Sequence, residues 1–108
     1  MLKLVRCVLT LENWPLIVGS VSSVAQGITV WPMREISPET NRTAYYRGLQ
    51  YQIHMPGIVV EIVTDDSWLD DIIAKVMAAH KEGLIVGRAL QVFPVEGSYR
   101  IRDGFMDT

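Results

Sequence analysis

Hydrophobic and polar residues alternate at the start of the chain in the way expected of a strand with one covered face. Two sets of side chains alternate along this segment. One set is Lys3, Val5, Cys7 and Leu9, and the other is Leu4, Arg6 and Val8. Because side chains point to opposite faces of a strand with a period of two, each set occupies one face of a sheet. The first set is apolar apart from Lys3, so we expect a strand over residues 2–10 with that face against the core.

Apolar residues then recur every three or four positions, which is the spacing of an amphipathic helix. The positions are Trp14, Ile17, Val18, Val21, Val24 and Ala25. Asn13 is a suitable N-cap, Pro15 is tolerated in a first helical turn, and Gly27 is a suitable stop. The pattern predicts a helix between Asn13 and Gly27, although its serines and β-branched residues are weak helix formers.

The middle of the chain is predicted to hold strands on either side of a long loop. Residues 28–36 read as a strand that Pro32 permits only at a sheet edge or at a bulge. Residues 37–47 are polar with almost no aliphatic side chains, and a loop of this length in a small domain is commonly functional. Residues 49–55 and 58–64 read as strand segments broken by Pro56-Gly57.

The last third of the chain carries the strongest helical pattern. Asp65 or Asp66 is suited to cap a helix that Gly83 ends. Its predicted buried stripe consists of Leu69, Ile72, Ile73, Val76, Met77 and His80. Two short strands, over residues 89–95 and 99–102, complete the chain.

This order of elements predicts a single α+β domain over residues 1–108: a ferredoxin-like βαββαβ sandwich with the long loop between strands 2 and 3. Both helices would lie on one face of the sheet, and no third helix is predicted to cover the other. A small domain gains stability from further burial, so we expect self-association through that face.

Charge and composition exclude several classes of protein. The chain has 10 Lys and Arg against 12 Asp and Glu, without the dense basic stripe typical of nucleic-acid binding. No apolar run reaches the roughly 18 residues of a membrane span. Lys3 and Arg6 interrupt the first apolar segment, which therefore does not resemble a signal peptide, and we expect a cytoplasmic protein. The single Cys7 is expected to be a buried thiol.

Few residues suggest catalysis, whereas several suggest anion binding. No nucleophile–base arrangement is visible, and helix capping accounts for the paired aspartates. Arg100 and Arg102 would share one face of a strand and present two guanidinium groups suited to phosphate or carboxylate. The loop from Gly83 to Gly87 could turn backbone N–H groups toward the same anion. We therefore expect a binding protein and not an enzyme.

The order of motifs resembles the PII signal-transduction proteins, and in detail the carboxysome-associated PII-like proteins. The residues that carry the resemblance are Gly27-Ile28-Thr29-Val30, Tyr46-Arg47-Gly48-Leu49-Gln50-Tyr51, Pro56, Val60-Glu61-Ile62-Val63, Gly83-Leu84-Ile85, Val95 and Arg100-Ile101-Arg102-Asp103-Gly104. The resemblance implies a homotrimer that binds an adenine nucleotide in three intersubunit clefts and signals through its long loop. On matched positions, the adenine would be contacted by Thr29, Glu61 and Val63, and the phosphates by Gly87, Arg88, Arg100 and Arg102.

Two departures from the family pattern change what this resemblance implies. At the start of the loop, Glu35-Ile36-Ser37-Pro38-Glu39 replaces a Gly-x-Gly-Arg-Gln stretch, whose glutamine helps to hold magnesium and 2-oxoglutarate. Val86-Gly87-Arg88-Ala89 stands in place of Gly-Asp-Gly-Lys and lacks the lysine for the outer phosphates. We therefore expect ADP or AMP to bind at least as well as ATP, and no metal to be required.

The carboxysome-associated resemblance implies bicarbonate as a second ligand. A monoanion beside a phosphate needs arginine or backbone N–H donors, and the candidates at the loop are Arg34, Ser37, Arg42 and Arg47. The expected target is a bicarbonate transporter or a carboxysome-related protein. Three alternatives stay open: a nitrogen-regulating PII protein that binds ATP and 2-oxoglutarate, a weak nucleotide hydrolase, and a metal-tolerance trimer of similar architecture. Cys7, His54 and His80 form no recognisable ligand set for the last.

Overall fold

The structure is a computed structural model that describes residues 1–35, 42–46, 49–53, 55–102 and 105–106. Over these residues the chain forms eight strands and two helices. In order they are β1 (Leu2–Leu9), α1 (Pro15–Val21), β2 (Ala25–Glu35), β3 (Arg42–Tyr46), β4 (Leu49–Ile53), β5 (Met55–Asp65), α2 (Asp66–Lys81), β6 (Gly87–Pro94), β7 (Tyr99–Arg100) and β8 (Phe105–Met106).

The four long strands form one antiparallel sheet in the order β2-β5-β1-β6. This order, with α1 and α2 in the connections, is that of the ferredoxin-like α+β sandwich predicted from the sequence, and the prediction is confirmed. The two remaining strand pairs, β3 with β4 and β7 with β8, are separate two-stranded sheets. The sheet therefore places β2 and β6 at its two edges.

The core lies between one face of the sheet and both helices. One cluster of buried side chains joins the two central strands to the two helices. Its members are Val5, Cys7 and Leu9 from β1, Ile58, Val60 and Ile62 from β5, and Ile17, Val21, Ile72 and Val76 from the helices. Thr64 is buried with them, and its hydroxyl donates a hydrogen bond to the Val24 carbonyl oxygen over 3.0 Å. Both helices thus cover the same face, as predicted.

Helix α1 is shorter than its apolar pattern predicts. It spans seven residues, its N-cap is Trp14 without a side-chain cap, and Asn13 has a left-handed backbone with φ of 59°. The hydroxyls of Ser20 and Ser22 donate to carbonyls three residues earlier, which competes with a continuing helix. The prediction that the helix extends to Gly27 was therefore wrong, since β2 begins at Ala25.

The predicted break at Pro56-Gly57 is also wrong, because β5 runs through both residues. The pairing of β5 with β1 ends at Ile58, opposite Leu9, so Pro56 has β2 on one side and no ladder on the other. A proline without an N–H is acceptable at such a position. Pro32 lies on the edge strand β2, which is one of the two positions that the sequence allowed for it.

Part of the predicted loop over residues 37–47 is a strand. Arg42–Tyr46 pairs antiparallel with Leu49–Ile53, so the segment is not structureless throughout. Cross-strand pairing explains this, since Thr43, Tyr45 and Tyr46 are residue types favoured in strands. The remainder of the predicted loop lies outside the described residues.

Helix α2 follows its prediction closely at both ends. Asp65 is the N-cap and accepts hydrogen bonds from the backbone N–H and the hydroxyl of Ser67 at 3.0 and 2.6 Å. Gly83, with φ of 78°, follows the C-terminus in the left-handed conformation that favours glycine. Met77 and His80, however, are exposed and do not belong to the buried stripe. Within the described ranges, neither helix combines the length and apolarity needed to cross a bilayer.

Candidate functional site

A row of polar side chains crosses the sheet on the face that points away from the helices. Strand pairing places Thr29 opposite Glu61, Glu61 opposite Arg6, and Arg6 opposite Gln91. Directly paired residues in antiparallel strands project on the same face. Val63 lies two residues beyond Glu61 on β5 and so shares that face. The three residues predicted to contact adenine, Thr29, Glu61 and Val63, are therefore neighbours.

Arg6 and Glu61 form an ion pair at the centre of this row. Arg6 Nε lies 3.7 Å from Glu61 Oε2, and the two side chains are 40% and 20% exposed. Arg6 Nε is itself buried, and it finds no hydrogen-bond acceptor in the described part of the chain. The pair therefore places opposite charges side by side without closing a hydrogen bond.

Gly87, which was predicted to contact phosphate, is already engaged by a side chain. Its N–H donates a hydrogen bond to His80 Nδ1 over 3.0 Å. Both residues line a cleft of about 200 Å³ between α2 and β6, together with Leu9, Val76, Met77, Arg88, Ala89 and Leu90. The neutral imidazole must carry its proton on Nε2 to accept this bond. A phosphate that used the Gly87 N–H would have to displace His80.

The guanidinium of Arg88 is directed toward the base of the long loop. Arg88 Nη2 donates a hydrogen bond to the Pro56 carbonyl oxygen over 2.7 Å. A side chain at Gly57 would not fit beneath it, because an added Cβ would lie 3.0 Å from Arg88 Nη1 and 2.7 Å from the Leu9 carbonyl oxygen. Arg88 thus connects the predicted phosphate-binding segment to the start of β5, the strand after β4.

The expected alignment of Arg100 and Arg102 on one strand face is not found. Strand β7 consists of Tyr99 and Arg100 alone, and Ile101 and Arg102 lie in a turn. Ile101 is 98% exposed, so burial against the described part of the chain does not favour a longer strand here. Both arginines are exposed, so they are accessible to a ligand, but the alternation argument for their shared direction does not hold.

Thr29, on one edge strand of the sheet, is far from the backbones of Gly87 and Arg88 on the other edge strand, and Glu61 and Val63 lie on β5 next to Thr29. Thr29 lies on edge strand β2, and Gly87 and Arg88 begin edge strand β6. Three strand spacings separate these edges, or roughly 14 Å across the sheet. The backbones of Gly87 and Arg88 are therefore separated from the adenine residues, although the Arg88 side chain extends back to Pro56 on β5.

Of the candidate bicarbonate residues, only Arg34 has a described side chain. It is exposed on β2, where it pairs with Pro56, and lines an open depression of about 450 Å³ with Leu11, Pro32, Met33, Pro56 and Gly57. Arg42 begins β3, and only its backbone is described. Ser37 and Arg47 lie outside the described residues, as does His54.

Sequence reasoning missed two residues that the fold brings to the site. Arg6 appeared only as a mixed-face strand residue, and its register with Glu61 depends on pairing between distant segments. His80 was assigned to the buried helix stripe by its spacing. Arg6 could have been found from the sequence, because it is a charged residue in an otherwise apolar strand face. The contact between His80 and Gly87 could not, because nothing in the local sequence indicates it.

Comparison with known proteins identifies the family to which the site belongs. No family model matches the chain. The nitrogen regulatory protein P-II of Nostoc punctiforme is 33% identical over 84% of this chain and 82% of its own length. Its counterparts in Synechocystis and in Azospirillum brasilense are 29% and 32% identical, over 84% and 73% of this chain. With this similarity over most of both sequences, the chain belongs to the family of PII signal-transduction proteins.

Proposed function

We propose that the chain is a non-catalytic regulatory protein that forms a homotrimer and binds ADP or AMP in clefts between subunits. Bicarbonate is its co-ligand, and the protein regulates inorganic-carbon uptake or fixation through the segment of residues 37–47. The described fold and the membership of a regulatory family support the general role. The ligands and the carbon-related target come from the resemblance to carboxysome-associated PII-like proteins.

The observation that carries the proposal is the separation across the sheet between the adenine residues and the backbones of Gly87 and Arg88. Thr29, Glu61 and Val63 lie toward β2, and Gly87 and Arg88 lie at β6. A second copy beside the sheet would supply the missing half, so a cleft between subunits could hold both ends of one nucleotide. The helix-free face also carries half-buried apolar side chains, among them Leu4, Val8 and Trp31, that self-association would cover.

The phosphate end of the ligand is proposed to bind through arginines and not through a lysine. Arg88 provides one guanidinium at the start of β6, and Arg100 and Arg102 provide two that are exposed near the end of the chain. Arginine suits phosphate because its fork can donate two parallel hydrogen bonds. The sequence has Ala89 where the family has the lysine for outer phosphates, which favours ADP or AMP over ATP.

Bicarbonate is proposed to bind near Arg34, beside the base of the loop. The depression there is open, contains one described cation, and borders Pro56, whose carbonyl oxygen accepts the hydrogen bond of Arg88. Ser37, Arg42 and Arg47 would complete the site from the loop. An anion at this place adds negative charge near the nucleotide phosphates, so each arginine that it recruits also reduces the repulsion between the two ligands.

The proposal is tested by measuring assembly and nucleotide binding together. Sedimentation of the purified protein should give a trimer, and calorimetry should show one ADP per subunit. The double variant Arg100→Ala, Arg102→Ala should remain a trimer and lose ADP affinity at least tenfold, since two phosphate donors are removed. A single sedimenting chain, or no response to millimolar ADP or AMP, would refute the proposal.

A nitrogen-regulating role is the second candidate, because the curated relatives carry that name. It requires ATP and 2-oxoglutarate to bind cooperatively. The loop sequence around Ser37 lacks the glutamine that the resemblance assigns to magnesium and 2-oxoglutarate. Titration with ATP, magnesium and 2-oxoglutarate separates the two roles: tighter ATP binding in the presence of 2-oxoglutarate would favour nitrogen regulation.

A weak nucleotide hydrolase is a third candidate because His80 is close to Gly87. The described contact uses His80 Nδ1 as an acceptor for backbone N–H, which leaves that nitrogen unable to act as a base. Steady phosphate release from ATP that disappears in His80→Ala would favour hydrolysis. Our proposal expects no such release.

A further inference from the structure

We propose that Arg6 is a positioning residue that determines the base specificity of this nucleotide site by holding the Glu61 carboxylate in place. The inference rests on the proposed function, since it requires an adenine nucleotide beside Glu61. Arg6 is not among the residues that the resemblance assigns to the ligand. The geometry of the sheet places it there.

The surroundings of Arg6 make a charged residue unexpected at this position. On either side of the polar row, the same sheet face carries apolar rows, one with Trp31, Val59 and Val8 and one with Val63, Leu4 and Phe93. A charge on such a face loses solvation when a ligand or a second subunit covers it, and this is costly unless an opposite charge is adjacent. Arg6 and Glu61 supply that opposite charge to each other.

The distance between Arg6 and Glu61 indicates which carboxylate oxygen pairs with the guanidinium and which is left for the ligand. Glu61 Oε2 is the oxygen near Arg6 Nε, at 3.7 Å, a distance at which the charges attract without a formed hydrogen bond. A small movement of the carboxylate would satisfy the buried Nε–H, which finds no acceptor among the described residues. With Oε2 held by Arg6, Oε1 is left to accept a hydrogen bond from the ligand. Binding and closure of the ion pair would then occur together.

The chemistry of this arrangement selects the base. The exocyclic amine of adenine donates a hydrogen bond, and a carboxylate oxygen accepts one, so Glu61 suits adenine. Hypoxanthine, the base of inosine nucleotides, carries a carbonyl oxygen at the same place, which a carboxylate repels. A site built to pair with an amine discriminates strongly against an analogue that lacks it. If the carboxylate is not held, the discrimination weakens.

The test compares ADP with inosine diphosphate in calorimetric titrations of the intact protein. In Arg6→Met, which replaces the guanidinium with an apolar chain, we expect about a tenfold loss of ADP affinity, in line with loss of a charge-assisted hydrogen bond. The loss for inosine diphosphate should be much smaller, so the ratio of the two affinities falls. Lys3→Met is the matched control. It also removes one positive charge from β1, but from the face that the helices cover, so the ratio of ADP to inosine diphosphate affinity should not change.

A second variant keeps the test valid if Arg6→Met folds poorly. Glu61→Gln conserves shape and should also reduce the preference for ADP. In the double variant with Arg6→Met, the ratio should fall no further than in Glu61→Gln alone, because Arg6 acts through the carboxylate. Circular dichroism and sedimentation of each variant accompany the titrations.

The outcomes separate this inference from the proposed function. If the unaltered protein ignores ADP, the proposed function fails and the inference fails with it. If it binds ADP and Arg6→Met retains the same preference over inosine diphosphate, the inference alone is overturned. If Arg6→Met loses affinity only because it no longer sediments as the parent assembly does, Arg6 is a contact between copies, and the inference is likewise overturned.

Discussion

The guanidinium of Arg88 bonds to the carbonyl oxygen of Pro56, with 2.7 Å between nitrogen and oxygen. This bond joins the first residues of β6 to the first residues of β5, which follow the long loop in sequence. In the proposed function Arg88 also contacts a nucleotide phosphate. A ligand that draws Arg88 toward itself would weaken the bond to Pro56, and this gives a physical route from the nucleotide to the loop.

Replacing Arg88 with methionine should uncouple the loop from the nucleotide. Arg42 and Arg47 are trypsin cleavage sites within the segment that we propose to respond to ligands. In the unaltered protein, saturating ADP should change the rate of cleavage after these residues severalfold, as followed by mass spectrometry. In Arg88→Met, ADP at saturation should leave the rate unchanged.

The matched control for this variant is Lys81→Met, which removes an exposed cation from the end of α2. It should retain the response to ADP. A full response in Arg88→Met at saturating ADP would show that the bond between Arg88 and Pro56 does not transmit the signal.

Gly57 should tolerate no side chain. An alanine Cβ there would lie 2.7 Å from the Leu9 carbonyl oxygen, which belongs to the backbone and cannot turn away. We expect Gly57→Ala to lower the free energy of unfolding by about 1–3 kcal/mol, as overpacking does. Gly27→Ala is the control, because nothing lies within 4 Å of its added Cβ. Chemical denaturation of both variants tests this, and equal stabilities would contradict it.

The Cys7 thiol should be unreactive in the folded protein. Cys7 is completely buried, and burial raises the pKa of its thiol to about 11. Thiolate, not thiol, is the nucleophile, so a disulfide reagent at pH 8 should react slowly with native protein and at once in denaturant. Rapid reaction of the native protein would show that this part of the core is open.

The same shift predicts how stability depends on alkaline pH. Because the folded pKa of Cys7 is above the ordinary value of 9.0, only the unfolded chain loses the proton as the pH first rises. The contribution is complete below pH 9 and is lost as the pH rises through about 11. Cys7→Ala lacks this contribution, so the stability difference between the unaltered protein and this variant should shrink over that interval.

Asp65 should stabilise α2 at neutral pH and cease to do so in acid. Hydrogen bonds from the Ser67 hydroxyl and backbone N–H lower the pKa of its carboxyl below the ordinary value of 3.8. The stabilisation is therefore present above that value and is lost as the pH falls through the lowered one. Asp65→Ala should melt at a lower temperature than Asp66→Ala at pH 7, and the difference should diminish in strong acid.

The sequence predicted the fold where local pattern and packing agree. Helix α2 has a cap at Asp65, a stop at Gly83 and a continuous stripe between them, and it was placed within a residue or two at each end. In helix α1 the two disagree. The apolar spacing continues past Val21, but the serine side chains bond to backbone carbonyls of the preceding turn, and the helix ends at Val21.

The candidate site was only partly predictable for a related reason. Thr29 and Glu61 could be assigned by resemblance, but their pairing with Arg6 depends on the register of three strands that are distant in sequence. The contact between His80 and Gly87 depends on how the chain turns after α2. For Arg100 and Arg102 the sequence predicted a shared strand face that does not exist, because the strand ends at Arg100 and its alternation does not reach Arg102.

The central claim is that ADP and bicarbonate bind as coupled ligands. A ligand shifts an equilibrium only if it prefers one state, so each must favour the same arrangement of the loop. Calorimetric titration of the trimer with ADP, with and without bicarbonate at constant pH and ionic strength, measures this coupling directly. We predict at least fivefold tighter ADP binding with bicarbonate, within the usual range of about 1–3 kcal/mol. Equal affinities under both conditions would contradict the account.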